Sequence, residues 1–417
     1  MSHQFLPFKS DPEALLRFFN RAGRLAESIG VRPFGLRADR ILARARRVSG
    51  FDFRDHMFED GLKRLIRSLQ AEARLSPFGQ FAMRNALQRS ANSRFLVEKA
   101  ISENPSIEDE PIKEPVVIIG MPRAGTTILQ ALLHRDTAHR SPLCWECLLP
   151  YPAPTPADYL DNPRLDTVRK EFDLLFRLIP DIRKKHYMEA DSPQECVAIT
   201  ALNFCSYQYL GLARVPSYND WLSDGADQRQ NLRWHRRFLQ FLQSGGIRPV
   251  RWLLKSPVHL LRLKPLFDVY PDARIIMPHR EPSRFVASVA SLIMSTRSLY
   301  TDETNPVRTG QELLRGWGEH LQRFLRDRES LGMESRCVDF HFDEFVGNQM
   351  RIVDRIYQRF GWQLDPQSRA RMEEFLQQER KDKHGVHTYS LEEFGISPVN
   401  FDDKFMNYIR FIDKLKA

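Results

Sequence analysis

The chain has 417 residues, of which 42% are hydrophobic and 28% charged, and it carries a net charge of +9. Those proportions exclude wholesale disorder, and no run of about 18 uncharged apolar residues is present to build a membrane-spanning helix. Five cysteines are too few and too scattered for a disulfide framework.

The N-terminus, MSHQFLPFKSDPEALL, lacks the apolar core of a secretory signal, so a cytoplasmic location is expected. Ser10 to Glu13 form a capping-box pattern with Pro12 in the first turn, and Leu15, Leu16, Phe18 and Phe19 begin an apolar face. Gly30 and Pro33 mark its stop. A second amphipathic helix follows, with Leu36, Ile41, Leu42 and Val48 on one side and Arg37, Arg40, Arg44, Arg46 and Arg47 on the other. That basic face reads first as a solvated surface, and the positive excess can attract nucleic acid, anionic lipid or a small polyanion. No nucleic-acid-binding signature accompanies it, so no stable nucleic-acid partner is expected, whereas peripheral membrane contact stays open.

Helical periodicity continues over about 57–74 and 78–101, and an acidic, proline-bearing linker occupies 103–114. Residues 1–110 are therefore expected to form an N-terminal helical region. Beyond it, Val116–Ile119 is a short continuous apolar run of the buried parallel-strand type. Trp252–Leu254, Ala273–Met277 and Cys337–Phe340 repeat the pattern, and a helix is expected over about 349–360. The alternation predicts an α/β fold over 115–417: a P-loop-like parallel sheet flanked by helices. A mostly helical insertion is expected at about 156–250. Cys144 and Cys147 make a C-x-x-C without a second ligand pair, and His384 and His387 lack metal-ligating partners, so packing is expected of the cysteines and no metal anywhere.

Gly120-Met-Pro-Arg-Ala-Gly-Thr-Thr127 follows the first strand and opens a helix. Its glycines let successive N–H groups turn toward an anion, and the helix N-terminus adds unpaired donors and favourable dipole charge. Thr126 stands where a Walker A loop needs lysine, which argues against ATP or GTP hydrolysis.

Pro122–Thr127 resembles the 5'-phosphosulfate loop of sulfotransferases dependent on 3'-phosphoadenosine 5'-phosphosulfate (PAPS), with Ala124 replacing the usual serine. Ala273–Ser288 resembles that family's 3'-phosphate motif, with Arg280 at a strand end and Ser288 eight residues later. Trp252–His259, His341–Val346 and Gly385–Gly395 are also similar to family segments, the last to a bacterial branch. The resemblance spans about 115–395 and leaves the N-terminal helices uncovered.

It implies a sulfotransferase that moves a sulfuryl group from PAPS, as cosubstrate, to an acceptor hydroxyl or amine by in-line displacement. Arg123, Ala124, Gly125, Thr126, Thr127, Arg280 and Ser288 would bind PAPS, and Arg123 and Lys255 would stabilise the leaving phosphate. Glu146 occupies the place of the catalytic glutamate in tyrosylprotein sulfotransferases and is the expected base, with a structural ion pair or helix cap as its alternative; His259 and His134 stand behind it. The aromatic content of 145–250 suits a small-molecule or lipid acceptor. A P-loop kinase of a small metabolite and a non-enzymatic anion or nucleic-acid binder are the competing readings.

Overall fold

The structure, a computed structural model, describes residues 12–31, 33–180, 182, 188–378, 390–397, 401 and 403–415. His384, His387 and residues 385–389 of the segment 385–395 lie outside the described residues, as does Ser10 of the capping box.

Four helices open the described chain: α1 (Pro12–Ser28), α2 (Ala38–Ser49), α3 (His56–Glu72) and α4 (Pro77–Glu103). Proline at the first position of α1 and α4 presets φ where no N–H is needed, and Ser76 caps α4 by accepting from the Gly79 N–H. In α2 the residues Ile41, Leu42 and Ala45 turn inward, but Val48 is exposed, so the apolar face ends a turn earlier than its spacing suggests.

Asp55 joins this bundle to the rest of the molecule. One carboxylate oxygen caps α3 by accepting from the Met57 and Phe58 N–H groups at 2.9 and 3.1 Å. The other accepts from the buried Arg94 guanidinium at 3.0 Å, which lies 3.5 Å from the Trp234 ring centroid. Asp55→Ala removes a cap and half the carboxylate pairing of a buried cation, so it is expected to cost about 3 kcal/mol, read as a lowered thermal midpoint. Asp55→Asn, which keeps the cap, is expected to recover only part of that loss.

The linker is docked rather than loose. Pro105–Asp109 form a 3-10 turn, Glu108 pairs with Arg237, and Glu110 pairs with Arg248.

The sheet has five strands in the order β2-β3-β1-β4-β5, and every neighbouring pair runs parallel. Its strands are β1 (Val116–Ile118), β2 (His139–Arg140), β3 (Arg251–Lys255), β4 (Arg274–His279) and β5 (Cys337–His341). Four of them coincide with the apolar runs read from the sequence. The two-residue edge strand β2 carries polar residues and gave no such signal. The expected helix near 349–360 is present at Gln349–Phe360.

Helices cover both faces of the sheet. One face is built on Phe238, Leu242, Leu263, Val286 and Phe324, the other on Leu129, Leu133, Ile352 and Ile356. Burial on both sides explains why the strands are continuous rather than alternating in hydrophobicity. The region 156–250 is largely helical, with its longest described helices at Pro163–Leu178 and Gln228–Ser244. Part of it, Ala201–Leu222, packs into one apolar core with α2, α3 and α4.

Candidate active site

Parallel strands deliver their C-terminal ends to one edge, and the candidate residues gather there. Gly120 leaves β1 where a Cβ would lie 2.8 Å from both the carbonyl oxygen and Cγ of Pro278, so only glycine lets the loop pass β4. Arg123 has φ +68 and Gly125 φ +80, two left-handed residues that turn the chain into the helix α5 (Thr126–Leu133). The first N–H groups of that helix have no partner within it and point along the loop. Ala124 is buried, so this position contributes backbone and packing only.

Arg280 follows β4 and reaches back across the loop. Its Nη1 donates to the Arg123 carbonyl at 2.6 Å, and its guanidinium lies 4.2 Å from the Phe342 ring centroid. A Cβ on Gly125 would stand 3.2 Å from the rings of Phe342 and Phe345, so this aromatic pair closes the loop from the β5 side. The end of β4 is held by His279, whose Nε2 meets Asp339 at 2.8 Å and whose Nδ1 meets the Tyr408 hydroxyl at 2.9 Å. Asp339 in turn accepts twice from Arg328, at 2.8 Å each. Ser288 lies in the second turn of the following helix, Pro282–Arg297, and is buried.

Lys255 ends β3 with only 2% of its surface exposed. Its Nζ donates to Glu195 Oε1 at 2.7 Å and lies 3.4 Å from Thr127 Oγ1. A lysine ammonium, the loop hydroxyl and a carboxylate are thus joined at one point. Glu195 was not singled out by the sequence, because it lies in a turn (Asp191-Ser-Pro-Gln-Glu195) of the region read simply as a helical insertion. Tertiary pairing puts it there: Leu143 and Pro193 form an antiparallel bridge, and the Gln194 N–H donates to the Pro142 carbonyl at 2.8 Å.

Glu146 is placed differently. It is 0% exposed; Oε1 accepts from Arg140 Nη2 at 2.5 Å and Oε2 accepts from the Leu143 N–H at 2.8 Å. Both oxygens are engaged in the ion pair and helix cap that the sequence offered as its alternative role, and neither contact involves the loop or Lys255. The two histidines behind it are also enclosed. Burial lowers His134 to about 4, and burial with the neighbouring charges of His235 and Arg262 holds His259 well below the usual histidine range.

The five cysteines are buried and unpaired, and burial pushes Cys144 up to about 11, an environment for packing rather than reactivity. Among the described residues no cluster of three His, Cys, Asp or Glu side chains is arranged to hold a metal ion.

The donor set suits a polyanionic nucleotide: backbone N–H groups, threonine hydroxyls, Arg123, Lys255 and Arg280 are all donors, and Gly120 keeps the loop close enough to the sheet to share them. A parallel sheet feeding such a loop is a P-loop-like α/β fold with an anion-binding edge. The chain belongs to the sulfotransferase family: a model of that family matches residues 115–366, more than half its length.

Two solved structures are similar over nearly all of the chain. Sulfotransferase STF1 from Mycobacterium tuberculosis is 28% identical with a TM-score of 0.79, covering 89% of this chain and 99% of that one. Sulfotransferase STF9 from Mycobacterium avium is 27% identical with a TM-score of 0.83, covering 91% and 97%. The omega-hydroxy-beta-dihydromenaquinone-9 sulfotransferase Stf3 of Mycobacterium bovis is 25% identical over 255 residues, 59% of this chain. The match spans 62% of that relative's own length.

Proposed function

We propose that this protein transfers a sulfuryl group from PAPS to the hydroxyl, or an amine, of a small lipid-like acceptor. The observation that carries the reading is the Arg280 guanidinium donating to the Arg123 carbonyl, which unites the two anion-binding motifs at one strand edge. Arg123, Gly125, Thr126 and Thr127 hold the 5' end of the nucleotide, while Arg280 and Ser288 take its 3'-phosphate; Ala124 shapes the loop from beneath. PAPS, when bound, supplies the sulfuryl group and a bisphosphate leaving group.

Lys255 donates to the phosphate oxygen on which charge builds as the S–O bond breaks, and Arg123 adds its cation from the loop. Glu195, rather than Glu146, takes the acceptor's proton as the new bond to sulfur forms, because it is the carboxylate that touches Lys255. This chemistry needs no metal, since fixed cations perform the neutralisation. Stf3 is by name a sulfotransferase of omega-hydroxy-beta-dihydromenaquinone-9, which supports an acceptor that presents an alcohol on an apolar body.

Calorimetric titration with 3',5'-adenosine bisphosphate and with ATP plus magnesium tests the reading. The bisphosphate is expected to bind and Mg·ATP to bind far more weakly; the reverse preference would replace it with a kinase. Arg280→Ala is expected to weaken the bisphosphate by about 10- to 100-fold, in line with loss of a charge-assisted contact, and to leave adenosine 5'-monophosphate nearly unchanged. Equal losses for both nucleotides would remove Arg280 from the 3'-phosphate.

A further inference from the structure

The N-terminal helices have no part in the chemistry above, yet α1 carries a surface that water alone does not explain. Leu15, Phe18, Ala22, Leu25 and Ile29 recur at intervals of three and four, which places them on one side of a helix. The four large residues are exposed by 59%, 70%, 69% and 73% in that order. The opposite anchoring of the helix is firm. Phe19 stacks on Phe34 with ring centroids 5.4 Å apart and meets Phe78 and Phe81 at 5.7 Å each. Gly23 lies so close to Pro77 that a Cβ would stand 2.3 Å from it. The stripe is therefore turned outward by packing, and scattered single apolar residues are a different matter from this continuous row.

Charge accompanies it. Arg17, Arg21 and Arg24 are exposed beside the stripe, Arg24 pairing with Asp302, and Arg40, Arg44 and Arg47 are exposed on α2, which packs on the same helix α4. Between residues 12 and 49 the sequence holds nine arginines against Glu13, Glu27 and Asp39, so a net +6 of the chain's +9 resides there. No described helix is long and apolar enough to cross a membrane.

We propose that α1 and α2 form a membrane-docking surface, with the Leu15–Ile29 stripe entering the interface of an anionic bilayer and the arginines contacting its headgroups. An apolar row flanked by arginine is the pattern of helices that lie in the bilayer plane. A second copy of the chain fits less well. The positions beside the seam are Arg21 and Ser28 on one side and Phe19 and Ala26 on the other, so no carboxylate stands ready to pair with arginine across a twofold axis. Nucleic acid would use the arginines but has no use for the exposed Phe, Leu and Ile side chains. The inference is independent of the reaction and of the residues assigned to it.

Co-sedimentation of the full chain with phosphatidylcholine vesicles, with and without phosphatidylglycerol, tests the proposal. The wild type is expected to pellet with the anionic vesicles and to be released by salt. The double variant Phe18→Glu/Leu25→Glu is expected to lose at least about tenfold in partitioning, while circular dichroism and the thermal midpoint stay unchanged because both positions face outward. Arg40→Glu/Arg44→Glu/Arg47→Glu is expected to abolish the preference for phosphatidylglycerol. Equal pelleting of wild type and the double variant would overturn the proposal. So would a wild-type dimer in light scattering that the double variant dissociates, which would assign the stripe to a second copy.

Discussion

Lys255→Ala is expected to lower kcat/KM by about 10³-fold, the scale on which a preorganised charge facing a developing anion acts. The position is demanding. Lys255 is buried at the end of β3, held at 2.7 Å by Glu195 and 3.4 Å from the Thr127 hydroxyl, so its ammonium is aimed before any substrate arrives. Alanine removes the cation and frees Glu195 from its partner. Because Glu195 keeps a partly exposed side chain, the stability loss should be modest, and the thermal midpoint separates loss of charge from loss of fold. Lys255→Arg is expected to recover little, since a planar guanidinium cannot occupy the place of a compact ammonium enclosed on nearly every side. The check is steady-state turnover of radiolabelled PAPS with an ω-hydroxylated isoprenoid acceptor, alongside calorimetric binding of 3',5'-adenosine bisphosphate. A variant with near-normal turnover would move leaving-group stabilisation to Arg123.

The second large effect separates two glutamates. Glu195→Gln is expected to reduce kcat by about 10²- to 10⁴-fold with bisphosphate affinity retained, as befits loss of a positioned base. Glu146→Gln keeps one acceptor oxygen and turns its NH2 toward either Arg140 or the Leu143 N–H, so it is expected to lower the thermal midpoint while leaving kcat of the folded protein within a few fold. Glu146→Ala empties that position and leaves the buried Arg140 without its carboxylate, which should cost about 3–5 kcal/mol and appear as a lowered midpoint. The opposite pattern, with Glu146→Gln inactive and Glu195→Gln active, would return the base to Glu146. Measuring both variants at the same fraction folded keeps stability from being mistaken for chemistry.

The reading of Glu146 shows how far local pattern extends. Its sequence position, shortly after the loop helix and beside Trp145, fits a base and a buried cap equally well, and only three-dimensional contacts distinguish them. Its capping contact with the Leu143 N–H is local, three residues away, but the ion pair depends on how Arg140 in β2 is enclosed by neighbours from distant segments, such as the Trp252 ring centroid 4.7 Å away. Glu195 had no local mark at all. It meets Lys255 across 60 positions of sequence, and it does so because the bridge at Leu143 and Pro193 carries its turn to the sheet edge.

What the sequence determined by itself is what short-range backbone geometry determines. Glycine at 120 and 125, a continuous apolar run before them and helix-forming residues after them specify strand, anion loop and helix within some twenty residues, whatever lies elsewhere in the chain. The same holds for Arg280 at the end of β4 and for most helix boundaries, where caps and prolines act within one turn. Tertiary structure decided what depends on packing between distant segments: that Arg280 crosses 157 positions to reach the Arg123 carbonyl, that Glu195 and not Glu146 touches Lys255, and that Ala201–Leu222 shares a core with α2, α3 and α4. It also decided which side of α1 faces out. The sequence reads Leu15, Leu16, Phe18 and Phe19 as one apolar face, and the structure splits it: Phe34, Phe78 and Phe81 clasp Phe19 while Leu15 and Phe18 stay exposed, a sum of distant contacts that no local window contains.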